Sequence, residues 1–288
     1  ALEKGVQIYE KTALEDLEEG ATNIVKTKNG SIEAERVVLA MNAWSSRWPE
    51  IRKSIAVVTS DMFVTDPIQE RLDSMGWKDG LTVCDGSALV HYYRTTRDGR
   101  IAYGKGGMSG TFSFGGKVGI EVEGQSKSEK NLLNAMHCSF PQLRDIAVNK
   151  SWKGPVDRSK SGLPLFWSLG SNAKIFYAVG FSGNGIGPCH LAGKILTSLV
   201  LEKQDEWSTC PLVRPPSRDF PVEPFRNIGS RLIRYGLLAK DRAEDENRPP
   251  PILSKLAASL APQGVAPFKT SKSSITNTTS DAKIKISS

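Results

Sequence analysis

Apolar and polar residues alternate through the first two thirds of the chain in the pattern of strands joined by short turns. Asn29-Gly30 lies between two β-rich segments and predicts a hairpin. The continuous apolar run 37–40 predicts a strand that is buried on both faces. Further strands are predicted at 5–10, 54–66, 80–85, 88–96, 100–107, 146–154 and 173–180. Because short turns join consecutive strands, we expect mainly antiparallel sheet.

Helical spacing of apolar residues appears in three places. Residues 126–140 predict an amphipathic helix capped by Ser128. Residues 187–203 predict a second helix, and 225–240 predict a surface helix. Beyond residue 240 the chain is charged, then rich in Pro, and finally rich in Ser, Thr and Lys. This composition predicts a disordered tail over 241–288.

Composition narrows the class of protein only moderately. The 288 residues carry a net charge of +7 that is spread along the chain, so we interpret it as a solvated surface and expect no nucleic-acid partner. No apolar run is long enough for a transmembrane helix, and we expect no membrane partner. Four dispersed cysteines and three histidines show no metal-ligand spacing. Reduced thiols favour an intracellular, cytoplasmic protein.

The segment 180–187 is dense in glycine and leads into a helical pattern. Its glycines leave bare backbone against which a ligand can rest, and a helix N-terminus favours negative charge. The spacing matches neither a P-loop nor the GxGxxG dinucleotide motif. Two interpretations stay open at this point. The segment is either a tight strand-to-helix turn without a ligand, or a site for an anion, a phosphate or a ring that becomes anionic.

Four segments in order make the second interpretation more specific. They are Glu10-x-Thr12-x-Leu14, LAMNAW at 39–44, Tyr92-x-x-x-x-Arg-Asp-Gly-Arg-Ile, and GFSGNGIG at 180–187. In this arrangement residues 5–202 resemble the C-terminal half of the FAD-dependent D-amino-acid oxidase superfamily, which includes glycine, sarcosine and gamma-glutamylputrescine oxidases. The resemblance implies oxidation of the C–N bond of a small amine or amino acid by hydride transfer to FAD.

The resemblance also implies which residues hold FAD. The backbone at Leu14 would contact the adenine, and Ala40 and Asn42 would lie beside the ribose and diphosphate. A helix N-terminus at the glycine-dense turn would stabilise the negative charge that develops on reduced flavin. The turn residues implied to bind the flavin are Gly180, Phe181, Ser182, Gly183, Asn184, Gly185, Ile186 and Gly187.

Several positions depart from the family pattern. Val156 and Gly183 stand where some members have carboxylate-binding arginines, and Ala102 stands where others have an oxygen-activating lysine. Residues 159–161 contain no flavin-attaching cysteine, so we expect non-covalent FAD. The substrate candidates are Tyr92, Arg94, Lys105 and Arg158. Because neighbours on a strand alternate faces, Tyr92 and Arg94 should share one side; no catalytic residue is assigned.

We therefore expect an α/β (α+β) fold that joins a Rossmann-type FAD-binding half-domain to an antiparallel-sheet substrate domain. The expected FAD-binding parts are 1–50 and 151–203, with the substrate domain at 51–150 and a C-terminal extension at 204–240. The family's first GxGxxG motif is missing, so the chain is expected to be a C-terminal fragment of a flavoenzyme. The alternative is a truncated, non-catalytic remnant or interaction module that cannot hold FAD.

Overall fold

The fold is that of a computed structural model, which describes residues 1–78, 80–106, 112–119 and 122–261. Within these ranges the strands form three sheets. The strands are β1 Leu14–Glu18, β2 Asn23–Thr27, β3 Gly30–Ala34, β4 Val37–Leu39, β5 Ile55–Thr65, β6 Thr82–Cys84, β7 His91–Thr95, β8 Ile101–Gly106, β9 Val148–Ser159, β10 Leu165–Leu169 and β11 Ile175–Val179. The α-helices are α1 Pro49–Arg52, α2 Gln69–Ser74, α3 Glu129–Ser139, α4 Pro188–Val200, α5 Phe225–Asp245 and α6 Ile252–Ser259.

The first sheet is an antiparallel meander of β1, β2 and β3. Its β2–β3 turn confirms the hairpin predicted at Asn29-Gly30, because Thr27 pairs with Gly30. The strand predicted at 5–10 is wrong. All six of those residues are exposed, and the ladder with β2 begins only at Leu14. Apolar alternation alone cannot form a strand where no neighbouring strand pairs with the backbone.

The second sheet has the order β10-β11-β4, in which β4 runs parallel to β11. Every residue of β11 is buried, as its apolar sequence predicts. The prediction that 37–40 is buried on both faces is wrong, since Val38 is 43% exposed. Leu39 is the buried residue of β4 in the cluster that contains Leu165, Tyr177 and Val179, and the partly buried Val37 packs against that cluster.

The third sheet is antiparallel throughout, with the order β6-β7-β8-β5-β9. Helix α3 follows Ser128, as predicted, and covers one face of the sheet by packing Leu132 and Met136 against Phe63 and Tyr103. Strand β9 crosses the domain boundary expected at residue 150. The division into domains stays a prediction, whereas the mixed helix-and-sheet fold with antiparallel sheets is confirmed.

The C-terminal part corrects the disordered tail expected from residue 241. Helix α5 continues to Asp245, and α6 follows at Ile252–Ser259. The charged composition was misleading because Asp241 is buried and accepts hydrogen bonds from the Ala88 and Leu89 amides at 2.8 and 3.1 Å. The rest of the expected tail, residues 262–288, lies outside the described residues. Among the helices that are described, none is both long enough and apolar enough to cross a membrane.

Candidate functional site

A cavity of about 850 Å³ opens beside the first sheet and the turn that follows β4. Its walls include Leu14, which is distant in the chain from Ala40 and Asn42; the sequence singled out all three for cofactor binding. The structure therefore brings together the residues expected at the adenine and ribose end. Gly115 and Gly116, each with positive φ, also line the cavity.

Two arginines of this cavity were missed by the sequence analysis. Arg47 donates hydrogen bonds to the carbonyl oxygens of Leu14, at 3.2 Å, and of Glu15. Arg52 donates to the Gly115 carbonyl at 3.3 Å. Both guanidinium groups line the cavity and give it cationic character, which suits a phosphate-bearing ligand. Their spacing in the sequence matches no motif, so only the three-dimensional structure identifies them.

The glycine-dense turn has the backbone that its composition predicts. Gly180 and Gly183 have φ values of +84° and +89°, and Ser182 between them has φ +57°. A Cβ on Gly180 would lie 3.0 Å from the Ser159 Cβ. Beyond Ser182 the turn opens to the surface, and Ile186 is fully exposed. The turn therefore presents its own backbone outward just before α4 begins.

Two side chains of the turn face inward: that of Ser182, whose Oγ lies 3.3 Å from Ser159 Oγ, and that of Phe181. Its ring contacts Phe166 edge-on, with centroids 6.4 Å apart, and joins the cluster formed by Ala178, Ala192 and Ile195. Phe181 thus fixes the turn to α4 and the second sheet by packing. Any ligand contact at this position would be made by its backbone.

Asp157 joins the turn to the cavity, and the sequence analysis missed it. One oxygen of its side chain, Oδ2, accepts the Gly180 amide at 2.6 Å, and its main-chain oxygen accepts the Ser182 amide at 3.2 Å. Its own amide donates to Asn42 Oδ1 at 3.2 Å. The cavity wall and the glycine-dense turn are therefore tied to the same residue of β9.

The environment of Asp157 is unusual for a carboxyl group. The residue is 1% exposed, and its Oδ1 meets no hydrogen-bond donor within the described ranges. Burial raises its pKa to about 6, although amide hydrogen bonds from the turn act in the opposite direction. The sequence offered one indication of this residue, namely an acidic side chain within the alternating strand segment 154–159.

Tyr92 and Arg94 lie on one face of the third sheet, with Tyr93 on the other, as strand alternation predicts. The Tyr92 ring covers Gly104, where an added Cβ would come within 2.4 Å of it. The Tyr92 hydroxyl lies 2.5 Å from Ser60 Oγ, and burial raises the pKa of the phenol. Tyr92 is therefore held rigidly on its face of the sheet.

Lys105 does not share that face. It pairs with His91 in the ladder, one residue out of phase with the Tyr92–Gly104 pair, so its side chain points to the opposite side. Its Nζ lies 2.5 Å from His91 Nε2, and His91 Nδ1 lies 2.7 Å from Asp85. The structure thus separates Lys105 from Tyr92 and Arg94 and makes it part of a mostly buried charged cluster.

Arg158 shares the Tyr92 face of the sheet but lies near its other end. In the register of β5, Arg158 is opposite Ala56, whereas Arg94 belongs to the row of Val64. Eight strand residues separate these rows, which is about 26 Å at ~3.3 Å per residue. One small substrate cannot contact both arginines. Arg158, one residue after Asp157, is the one beside the turn.

Comparison with known proteins agrees with this geometry. The family described as "DAO: FAD dependent oxidoreductase" matches residues 1–199. The chain belongs to this family of FAD-dependent oxidoreductases. The match includes the cavity, Asp157 and the glycine-dense turn, and it ends within α4.

Individual relatives match more distantly. Gamma-glutamylputrescine oxidoreductase of Escherichia coli is 27% identical over 231 residues, which are 78% of this chain and 51% of that protein. A probable oxidoreductase OrdL of Haemophilus influenzae is 28% identical over 74% of this chain and 47% of its own length. Glycine oxidase of Bacillus subtilis is 25% identical over 69% of this chain and 50% of that enzyme. The chain spans about half the length of the curated relatives it matches.

Solved structures show the same fold. Glycine oxidase from Geobacillus kaustophilus aligns with a TM-score of 0.55 and 22% identity, covering 74% of this chain and 54% of that chain. L-Proline dehydrogenase from P. horikoshii aligns with a TM-score of 0.56 and 20% identity, covering 70% and 52%. At these identities the likeness concerns the fold.

Proposed function

We propose that this chain forms the flavin-proximal and substrate-facing part of an FAD-dependent enzyme that oxidises the C–N bond of a small amine or amino acid. One observation carries the proposal. Asp157 ties the glycine-dense turn to Asn42 of the cavity, so the two expected halves of a dinucleotide site form one hydrogen-bonded unit. Membership of the FAD-dependent family supports this assignment.

The residues present fit an FAD molecule. The cavity offers Leu14, Ala40 and Asn42 beside the cationic side chains of Arg47 and Arg52, a combination that suits an adenosine with its diphosphate. Segment 159–161 consists of Ser, Lys and Ser, so it supplies no thiol for a covalent bond to the flavin. We infer non-covalent binding in which the turn 180–187 approaches the ring system through its backbone.

When bound, FAD would supply the hydride acceptor. The chain would hold the flavin in position and stabilise the charge that develops on it. The bare backbone before α4 allows close approach, and the helix N-terminus favours negative charge. Asp157 holds Gly180 and Ser182 in the conformation that presents this backbone. Oδ2 of Asp157 accepts a hydrogen bond from the backbone of the turn. We therefore assign Asp157 the role of positioning the turn.

The substrate would lie on the Tyr92 face of the third sheet, toward the end where Arg158 lies beside the turn. Arg158 is the residue of this face that we assign to substrate positioning. Tyr92 belongs to the row of Met62, six strand residues from the row of Arg158, so it would line the same face without contacting the same small substrate. The relatives named gamma-glutamylputrescine oxidoreductase and glycine oxidase support an amine or amino-acid substrate. Val156 and Gly183 introduce no cation, so Arg158 would supply the charge for a substrate carboxylate. The free cysteines of the chain favour an intracellular compartment for this protein.

FAD titration of the purified chain tests the proposal. We expect saturable quenching of flavin fluorescence by the chain, and weaker binding by Asn42→Ala, which loses the acceptor of the Asp157 amide. Lys28→Ala, an exposed change in the β2–β3 turn, is the matched control. Anaerobic bleaching of the bound flavin by a panel of amines and amino acids then tests the reaction class. Folded protein that binds no FAD would favour the non-catalytic alternative, and a flavin that no amine reduces would contradict the substrate class.

A further inference from the structure

Helices α5 and α6 form a surface that the family match does not reach, because that match ends at residue 199. The inward side of α5 is fixed to the third sheet. Leu237 and Ala243 are buried, and Leu237 packs with Ala88 and Leu89. The Asp241 carboxylate accepts the amides of the same Ala88–Leu89 segment. These contacts fix the orientation of α5, so its other side faces solvent.

The outward side of α5 carries large apolar side chains. Phe225, Ile228, Leu232 and Tyr235 are 67%, 54%, 65% and 71% exposed. Their spacing of three, four and three residues places them in one stripe along the helix. A stripe of this kind on a helix whose opposite side is already packed needs a partner surface.

From Phe225 to Ala243, the exposed charged residues of α5 are all cations. They are Arg231, which lies between Ile228 and Leu232, and Arg242, which lies two turns beyond Tyr235. The one acid of this stretch, Asp241, is buried and accepts amide hydrogen bonds, and just before the helix Glu223 pairs with the nearly buried Arg226 at 3.0 Å. Exposed acids begin only at Glu244, at the end of the helix. The outward side is therefore apolar and cationic over most of its length.

Helix α6 repeats the same composition. It crosses α5 closely, because a Cβ on Gly236 would lie 2.2 Å from the Ala257 Cβ. Its exposed large side chains are Ile252, Leu253, Leu256 and Leu260. Lys255 is exposed among them, and the sequence of α6 contains no acid.

The expectation of no membrane partner rested on the lack of a spanning helix and does not concern binding at the membrane surface. We propose, against that expectation, that this α5–α6 surface docks on an anionic phospholipid bilayer, with the helices lying in the interface. Apolar side chains inserted at the headgroup level, flanked by Arg and Lys, are the composition that binds such an interface. Tyr235 has the apolar ring and polar tip that suit this depth. Charge argues against a second copy as the occupant. A two-fold contact would bring the cationic patch against itself.

Vesicle co-sedimentation of the full chain tests the proposal. We expect retention on vesicles of phosphatidylglycerol mixed with phosphatidylcholine, falling as salt rises, and little retention on phosphatidylcholine alone. Each cation near an anionic bilayer strengthens binding by roughly fivefold. Arg231→Glu with Arg242→Glu should therefore weaken retention at least about 25-fold, and Leu232→Ser with Tyr235→Ser should also abolish it.

The matched control is Lys28→Glu with Lys130→Glu, two exposed cations elsewhere, which should bind like the unmodified chain. Circular dichroism and thermal unfolding of each variant establish that it is folded. Equal retention on neutral vesicles, equal loss in the control, or no retention of the unmodified chain overturns the proposal. Concentration-dependent dimerisation that disappears in the Leu232→Ser, Tyr235→Ser variant without lipid retention assigns the surface to a second copy and also overturns it.

Discussion

The Asp157 carboxylate accepts a hydrogen bond from the Gly180 amide at 2.6 Å, at the point where β11 enters the glycine-dense turn. Its own amide donates to Asn42 Oδ1, so one residue of β9 joins the turn to the cavity wall. The second side-chain oxygen is buried without a donor in the described part of the chain. The site is thus held by a carboxyl group whose ionised form is disfavoured by burial.

Asp157→Asn should change how stability depends on pH. Burial raises the pKa of Asp157 to about 6, from 3.8 in the unfolded chain. The folded protein therefore binds this proton more tightly, and the free energy of unfolding falls as pH rises from about 4 through 6. About two pKa units correspond to about 3 kcal/mol. Asn keeps an acceptor for the Gly180 amide and does not ionise, so its variant escapes that loss.

Urea unfolding of both proteins at several pH values between 4 and 8 measures this difference. The stability of Asp157→Asn relative to the unmodified chain should increase with pH across this window. Other titrating groups cancel in the comparison, because they are the same in both proteins. Parallel pH profiles would show that Asp157 has an ordinary pKa in the folded state.

Gly180→Ala should destabilise the chain by about 1–3 kcal/mol. Its φ of +84° is strained for a residue with a Cβ, and that Cβ would lie 3.0 Å from Ser159. Gly187→Ala is the matched control in the same turn, since Gly187 has φ −66° and open space around its Cβ position. Thermal or urea unfolding should place the control within about 1 kcal/mol of the unmodified chain. Equal losses would mean that glycine at 180 is not required by its conformation.

Local patterns in the sequence were sufficient for much of the fold. Alternation predicted β5 and the opposite faces of Tyr92 and Tyr93, because side-chain direction on a strand depends only on neighbouring residues. The Asn29-Gly30 turn and α3 were predicted for the same local reason. The turn 180–187 was recognised because positive φ at Gly180 and Gly183 demands glycine.

Features that depend on register and on distant partners were not predictable. The roles of Arg47 and Asp157 arise from contacts with segments far away in the chain. The strand expected at 5–10 has no paired neighbour, and the helix through Asp241 is stabilised by amides about 150 residues earlier. Lys105 was placed with the substrate candidates, but its row in the ladder turns it toward His91.

Lys105→Met should raise the pKa of His91. Burial lowers that pKa, and the positive charge of Lys105, whose Nζ lies 2.5 Å from the imidazole, lowers it further. Removing the cation leaves the negative charges of Asp85 and Asp241, which favour the imidazolium. Because a lowered histidine pKa means weaker proton binding in the folded state, stability falls as pH decreases through about 6.5. The free energy of unfolding of Lys105→Met should therefore fall less over the same pH range.

NMR titration of the histidine ring protons measures this pKa directly. The chain contains only two other histidines, His137 and His190, so the ring-proton signals of His91 can be assigned readily. An unchanged or lower pKa of His91 in Lys105→Met would contradict the direct contact between the two side chains.

Gly104→Ala should disturb the substrate-facing side of the third sheet. An added Cβ would lie 2.4 Å from the Tyr92 ring, so the ring must leave its place and lose its contact with Ser60 Oγ. Overpacking of this kind costs about 1–3 kcal/mol. Gly106→Ala in the same strand is the control, because its Cβ would meet no atom of the described residues within 4 Å. Urea unfolding should show the loss only in Gly104→Ala, and Tyr92→Ala combined with Gly104→Ala should cost less than the sum of the two single changes. Strict additivity of the pair would show that the Tyr92 ring does not rest on Gly104.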